Sequence, residues 1–395
     1  MKPSIPAHLS GGMQYQLQIY FAGTQHIKPQ LPVAFEDLEQ KASEEMTPEA
    51  FGYIAGGAGA EATISNNREA FNRWQIVPRM MGDVSKRSME IELFGKKLPT
   101  PLLLAPVGVL SIAHADAEIA VARAAKALQV PQIVSTVSSK TIEEIAGVHE
   151  EHPHWFQLYW GRDDNFTLSI IERAEKAGYS AIVVTLDTRL FAWRERDIKN
   201  AYLPFLYNEG LANYNTDPAF LAAIDDTSEN KMQAMMHFAN CFSNPASTWS
   251  DLAIIREATK LPVILKGIQH PADAKKAIDH GADGIIVSNH GGRQMDGAIG
   301  SLDTLGGIAD AVGDKTTLLF DSGIRRGADV FKAMALGARA VLIGRPYAYG
   351  LALAGEQGVK EVLSNLLADV DLTLGLAGCN SWADVTKDML YRPGS

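Results

Sequence analysis

Six side chains that can carry a charge or move a proton each follow a short apolar run. Asp187 follows Ala181–Leu186, Lys266 follows Val263-Ile264-Leu265, and Asp321 follows Leu318–Phe320. Arg345 follows Ala340–Ile343 and Gly344, while His290 and Arg293 share Ser288-Asn289-His290-Gly291-Gly292-Arg293 after the run that begins at Gly284. Each has an ordinary use taken singly. Asp187 could cap a helix, Lys266 could reach solvent from a strand end, His290 could be a hydrogen-bonded turn residue, and Arg293 could pair with a surface acid. Their joint placement at strand ends is harder to explain by structure alone, because a histidine, carboxylates and cations on one rim are the equipment of acid–base chemistry. The turns Ser322-Gly323-Ile324-Arg325-Arg326-Gly327 and Gly344-Arg345-Pro346 add backbone N–H groups, a helix start and cations, which predict a phosphate-bearing substrate or cofactor.

The elements that must position these groups follow from the hydrophobic pattern. Eight apolar runs alternate with Ala/Glu/Lys-rich helical stretches: Leu102–Ala105, Gln132–Ser135, Trp155–Leu158, Ala181–Leu186, Val263–Lys266, Gly284–Ser288, Leu318–Phe320 and Ala340–Ile343. Runs apolar throughout predict parallel strands covered on both faces, and eight βα units favour a closed (β/α)₈ TIM barrel over an open doubly wound sheet. One domain over 1–395 is expected. It comprises an N-terminal arm (1–31), a helical cap and approach (32–100), the barrel (101–350) and C-terminal helices (351–395). Thr47-Pro48 predicts a helix start, and Gly56-Gly57-Ala58-Gly59 a break after Tyr53. The interval 199–250 after the fourth strand, with Asn213-Tyr214-Asn215, Asp225-Asp226 and a Met-rich patch from Met232 to Met236, is long enough to predict a lid.

The 395 residues are 46% hydrophobic and carry a net charge of −10, which suits a large buried core and argues against nucleic acid or anionic lipid as partner. Met1 to Gln30 lacks the pattern of a signal peptide and no apolar run reaches membrane-spanning length, so a cytoplasmic protein without a membrane partner is expected. The two cysteines, Cys241 and Cys379, read as packing residues, with neither a disulfide nor a metal site expected.

The motif Ser288-Asn289-His290-Gly291-Gly292-Arg293-Gln294 resembles the active-site signature of the FMN-dependent L-2-hydroxy acid oxidases and dehydrogenases. The resemblance continues through Phe156-Gln157-Leu158-Tyr159, Thr185-Leu186-Asp187-Thr188, Leu265-Lys266-Gly267, Phe320–Gly327 and Ile343-Gly344-Arg345-Pro346, and covers about residues 35–390. It implies FMN as cofactor. His290 would then accept the substrate proton and Asp187 would hold its ring. Arg293 and Arg194 would grip the substrate carboxylate, with Tyr53 at the same end, and Tyr159 would bond the substrate oxygen. Lys266 would sit beside the flavin N1 and O2 edge. Ser135, Gln157, Thr185 and Ser288 would bond the ring or ribityl chain, with Asp321, Gly323, Arg325, Gly344 and Arg345 near ribityl and phosphate. Pro106-Val107-Gly108 would lie against the N5 side.

Within the family, Phe191–Asp197, Leu203–Leu206 and Asn213–Pro218 are similar to the long lid of lactate 2-monooxygenase, and the third position of the 106–108 turn, Gly108, is glycine in that enzyme where lactate oxidases usually carry alanine. The expected activity is oxidation of L-lactate with O₂, with bound pyruvate and peroxide giving acetate, CO₂ and water. The alternatives are a lactate oxidase that releases pyruvate and hydrogen peroxide and, from another class, a flavin-free phosphate-binding barrel isomerase. Some members carry a Trp where this chain has Val137, so that substrate wall does not transfer. The resemblance also implies a homo-oligomer, a tetramer or a multiple of one.

Overall fold

The structure, a computed structural model, describes residues 11–224 and 231–394. Eight parallel strands close a barrel: β1 (Leu102–Leu104), β2 (Gln132–Ser135), β3 (His154–Tyr159), β4 (Ile182–Thr185), β5 (Val263–Ile268), β6 (Gly284–Val287), β7 (Thr317–Phe320) and β8 (Ala340–Ile343). Each pairs with the next, and β8 pairs back onto β1 through Val341 opposite Leu102. All eight apolar runs are therefore strands, with ends shifted by at most two residues. Strand parity explains why the runs lack polar alternation. Leu103, Ile133, Trp155, Val183, Ile264, Ile286, Leu319 and Leu342 fill the barrel interior. Their neighbours, such as Leu102, Val134, Phe156, Val184 and Leu265, are buried under the surrounding helices.

A hairpin, Ile91–Leu93 with Lys96–Leu98, closes the N-terminal mouth. Its Leu93 and Leu98 join the interior cluster, and Phe94 meets Trp155 edge-on with centroids 5.7 Å apart. The other mouth, where the strands end, is left for chemistry.

Three cap helices cover that end: α2 (Phe35–Glu45), α3 (Pro48–Ala55) and α4 (Ala62–Asn72). They follow α1 (Gly11–Gly23), a helix that the sequence pattern of the arm did not reveal. It packs on the long helix Arg345–Leu376, where Gly12 N–H donates to Asp371 Oδ2 at 3.1 Å. Residues 1–10 of the arm lie outside the described residues. Thr47 caps α3 as its spacing predicted, accepting from Ala50 N at 3.2 Å. The Gly56–Gly59 break docks on the loop after β6: Ala58 N–H donates to Gly292 O at 2.9 Å, and a Cβ on Gly57 would come within 2.9 Å of the same oxygen. Glycine permits this approach, and it brings Tyr53 to the catalytic rim.

Most of the segment after β4 is packed. Helices Ala212–Asn215, Pro218–Ala222 and Lys231–Phe242 lie on the β3 side of the barrel, with Tyr214 stacked on Phe166 at 4.7 Å and edge-on to Phe238 at 4.9 Å, while Glu195–Lys199 packs on α3. Asn213 ties it down, accepting from Ile142 N and donating to Thr136 O and Ser138 Oγ. Asp225-Asp226 lie outside the described residues, as does the Met232 side chain. Among the described residues no helix is long and apolar enough to cross a membrane.

Candidate active site

The loop after β6 turns through three consecutive left-handed residues, His290 (φ 60°), Gly291 (64°) and Gly292 (77°), which aim the imidazole over the barrel mouth. Its Nδ1 lies 2.8 Å from Asp187 Oδ1, and both side chains are largely buried. Asp187 reaches this position because β5 carries Gly267 (φ 108°) one residue before its end, where a Cβ would come within 2.8 Å of the aspartate side chain. Burial would raise the Asp187 carboxyl, but His290 and Lys266 beside it hold it below the usual carboxylate range. The ionised carboxylate accepts from Nδ1–H, which leaves Nε2 of the neutral ring as the proton acceptor at the cavity His290 lines.

Burial lowers the His290 pKa below its ordinary 6.5 and outweighs the opposing pull of Asp187, with Lys266 and Arg293 adding to the depression. A general base works when unprotonated. The rate of flavin reduction at low substrate should therefore hold down through pH 6.5 and fall only at more acid pH. Stopped-flow reduction across a pH series would show this, and an acid limb centred at or above 6.5 would contradict the assignment.

Opposite the histidine are two guanidinium groups around Tyr53. Arg293 and Arg194 lie 5.2 and 5.9 Å from the tyrosine ring centroid. Arg293 Nη1 donates to Tyr53 O at 2.6 Å and Gly56 O at 2.8 Å, so carbonyls at the C-terminal end of α3 set its direction. Arg194 donates from Nε to Arg293 O and from Nη2 to Gln294 Oε1, both at 3.2 Å. Burial, then Arg194 alongside, pushes Arg293 down to about 9. A guanidinium does not release its proton in the working range, so the depression expresses a buried charge short of a counterion, which an anionic group in the cavity would supply.

Lys266, at the end of β5, is only 3% exposed, with Nζ 3.1 Å from Ser288 Oγ and 3.4 Å from Asp321 Oδ2. Two buried polar atoms near this rim, Gln157 Nε2 and Thr185 Oγ1, have no partner within the protein, and neither has Arg325 Nε. Ser135 Oγ meanwhile donates to Gln157 Oε1 at 3.0 Å. Unpaired buried donors and a buried cation are what the polar edge and phosphate of a bound flavin nucleotide would satisfy, so these residues fit FMN.

The cavity brings together His290, Tyr159, Lys266, Tyr53, Arg194, Arg293, Pro106, Val107, Gly108, Asp321, Gly323, Arg325, Gly344 and Arg345. Asp187, Ser135, Gln157, Thr185 and Ser288 sit just behind that surface; Ser288 Oγ also accepts from His290 N at 3.0 Å. The expected helix-start anion site is corrected in one respect. The amides of Arg325 and Arg326 donate to Asp329 Oδ2, and Gly327 N to Asp369 Oδ2. The start of helix Gly327–Ala335 is thus already satisfied, and the phosphate-binding capacity rests on Arg325, Arg345 and the Gly323 and Gly344 turns.

Sequence reasoning missed the apolar wall of Phe191, Leu203, Phe205 and Phe242, in which Phe242 stacks on Phe191 and lies tilted against Phe205. It quoted Gln294 only as part of a motif, yet Gln294 joins the two halves of the site by donating from Nε2 to Asp187 O at 2.8 Å. A run of aromatics in a long insertion was the available signal for the wall. Nothing in the sequence marked Gln294.

Residues 42–392 match the model of the FMN-dependent dehydrogenase family. The chain belongs to that family. It is 47% identical to an L-lactate oxidase of Lysinibacillus sphaericus (strain C3-41), over 89% of this chain and 90% of the relative. It is 43% identical to a 4-hydroxymandelate oxidase of Amycolatopsis orientalis, over 88% and 95%. The crystal structure of mandelate oxidase with (S)-4-hydroxymandelic acid superposes with a TM-score of 0.81 at 41% identity, covering 91% of this chain and 98% of that one. This FMN-dependent dehydrogenase is a 2-hydroxy acid oxidoreductase. FMN, when bound, takes up the two electrons of the oxidation.

Lys266 tests the placement of the flavin. A buried cation at the ring edge favours the reduced, more negative form, so Lys266→Met should lower the flavin reduction potential while leaving substrate affinity largely intact. A redox titration with no downward change would contradict this placement.

Proposed function

We propose that the substrate is L-lactate and that O₂ is the acceptor, giving pyruvate and hydrogen peroxide. The observation that carries the reading is the convergence of the His290–Asp187 pair and the Arg293–Arg194 pair on one cavity. The carboxylate of the substrate lies against the guanidinium groups, which places its hydroxyl-bearing carbon toward the base. His290 holds the proton removed there, Asp187 stabilises the imidazolium that forms, and Tyr159 steadies the substrate oxygen. The similarity to an L-lactate oxidase supports the short substrate. We further propose a cytoplasmic homotetramer, in line with the family resemblance.

A second reading has support in the cover over the cavity. Leu203, Phe205 and Phe242 of the segment after β4 line it, so pyruvate could remain bound and be decarboxylated by peroxide to acetate, CO₂ and water. Gly108 no longer favours that outcome. A Cβ on Gly108 would meet Val137 Cγ2 at 2.5 Å and Val137 O at 2.7 Å, so the missing methyl makes room for Val137 instead of opening space in the cavity. Gly108→Ala should accordingly displace the 106–108 turn, with weaker FMN retention and a loss of stability of about 1–3 kcal/mol from overpacking, read as a lower melting temperature. A variant as stable as the parent, with only its products changed, would instead mean that Gly108 opens space in the cavity.

The ratio of acetate to peroxide after aerobic turnover of L-lactate tests the two readings. Stoichiometric peroxide and pyruvate support the oxidase, and acetate supports decarboxylation within the cavity. No flavin bleaching by lactate, with bleaching by mandelate, would move the substrate to the aromatic acids.

A further inference from the structure

Asp163, His237 and Cys241 form a cluster outside the catalytic cavity, on the side of the barrel where the segment after β4 packs down. Asp163 is the N-cap of helix Asp164–Lys176, accepting from Phe166 N through Oδ1 and leaving Oδ2 turned to the cluster. His237 and Cys241 stand one turn apart on helix Lys231–Phe242, on one face. The expectation of a mere packing cysteine overlooked this spacing. His237 Nε2 lies 3.5 Å from Asp163 Oδ2 and 3.5 Å from Cys241 Sγ, and the three atoms lie within 4.8 Å of one another.

We propose that these three side chains bind a divalent cation of the zinc class. The imidazole–carboxylate separation is longer than the roughly 2.7–3.2 Å of a good N–H···O bond. It matches the about 3.4–3.6 Å that Zn–N, Zn–O and Zn–S bonds of usual length set between neighbouring atoms of a tetrahedron. A thiolate, an imidazole and a carboxylate are the ligand types that select such an ion, and water completes the fourth position. Asp217, nearby, is committed to Arg173, Ser169 and the start of its own helix.

The surroundings hold the ligands in place before the ion arrives. Phe220 packs on the His237 ring at 4.8 Å. Arg162 N donates to Asn240 O at 2.6 Å, and Gly161 is so close beneath the helix that a Cβ would lie 2.2 Å from Cys241 O. Both sides of the site are thus docked by backbone contacts. The next residue, Phe242, packs at a tilt against Tyr159 with ring centroids 4.5 Å apart and lines the substrate cavity. An ion here clamps the wall of the active site from behind.

The test uses the flavin-loaded enzyme, stripped with chelator and titrated with Co²⁺. One equivalent should bind with the intense visible d–d bands of tetrahedral cobalt, at wavelengths where oxidised flavin is transparent, and with a thiolate charge-transfer band. Zn²⁺ should displace it. Cys241→Ser should abolish the charge-transfer band and weaken Co²⁺ binding at least about ten-fold, the low end of what even outer-shell changes cost. Asp163→Asn keeps the helix cap and should weaken binding similarly, with flavin content confirming the fold. Absence of saturable binding, octahedral spectra, or unchanged affinity in both variants would overturn the proposal.

Discussion

His290→Gln is expected to retain FMN and lose reduction of the flavin by L-lactate by about 10²–10⁴-fold, the usual worth of a positioned general base, or more, because proton removal here opens the redox step. The structure makes this a clean test. Asp187 and Ser288 fix the imidazole from Nδ1 and from the backbone, so the ring contributes an unencumbered Nε2 and little to packing. Gln keeps a hydrogen-bonding group at Asp187 and supplies no base. Anaerobic mixing followed by flavin absorbance measures the loss, and near-normal bleaching would remove His290 from the role.

The second large effect concerns the anion clamp. Arg293→Lys should cost about 10–150-fold in kcat/KM, the equivalent of one charge-assisted hydrogen bond of roughly 1.5–3 kcal/mol, and should raise KM as well as slow reduction. The reason lies in how the guanidinium is divided. Nη1 is spent on the carbonyls of Tyr53 and Gly56, and under the proposed function the rest of the fork would meet the substrate carboxylate. A lysine ammonium is a point charge on a flexible stem, and it can satisfy the carbonyls or the carboxylate but not both in this geometry. Steady-state kinetics with L-lactate, alongside anaerobic reduction, separates the two contributions. A variant altered in neither would place the carboxylate elsewhere.

The barrel was legible in the chain because burial on two faces leaves a pattern that nothing else in a protein of this size repeats. Eight apolar runs, from Leu102 to Ile343, followed by charged or Gly-rich turns, are sufficient to predict eight strands and to say at which end the chemistry stands. The candidate residues stood out for the same reason: Asp187, Lys266, His290 and Arg293 break an otherwise apolar rule at the strand ends. Other features were invisible because they depend on what folds against what. The helix Gly11–Gly23 has no strong apolar face of its own and is held by Asp371, some 359 residues away in sequence. The role of Gly108 was not legible in the chain because a missing Cβ can make room on either side, and only the position of Val137 shows which side is filled. The aromatic wall and the Asp163–His237–Cys241 cluster likewise arise where the segment after β4 folds back on β3; the helical spacing of His237 and Cys241 was local, but only the fold brings Asp163 to them. Composition and pattern determined the layers and the strand ends. Long-range packing decided which side chains meet, because contact distance is set by the path of the whole backbone and not by the residues on either side.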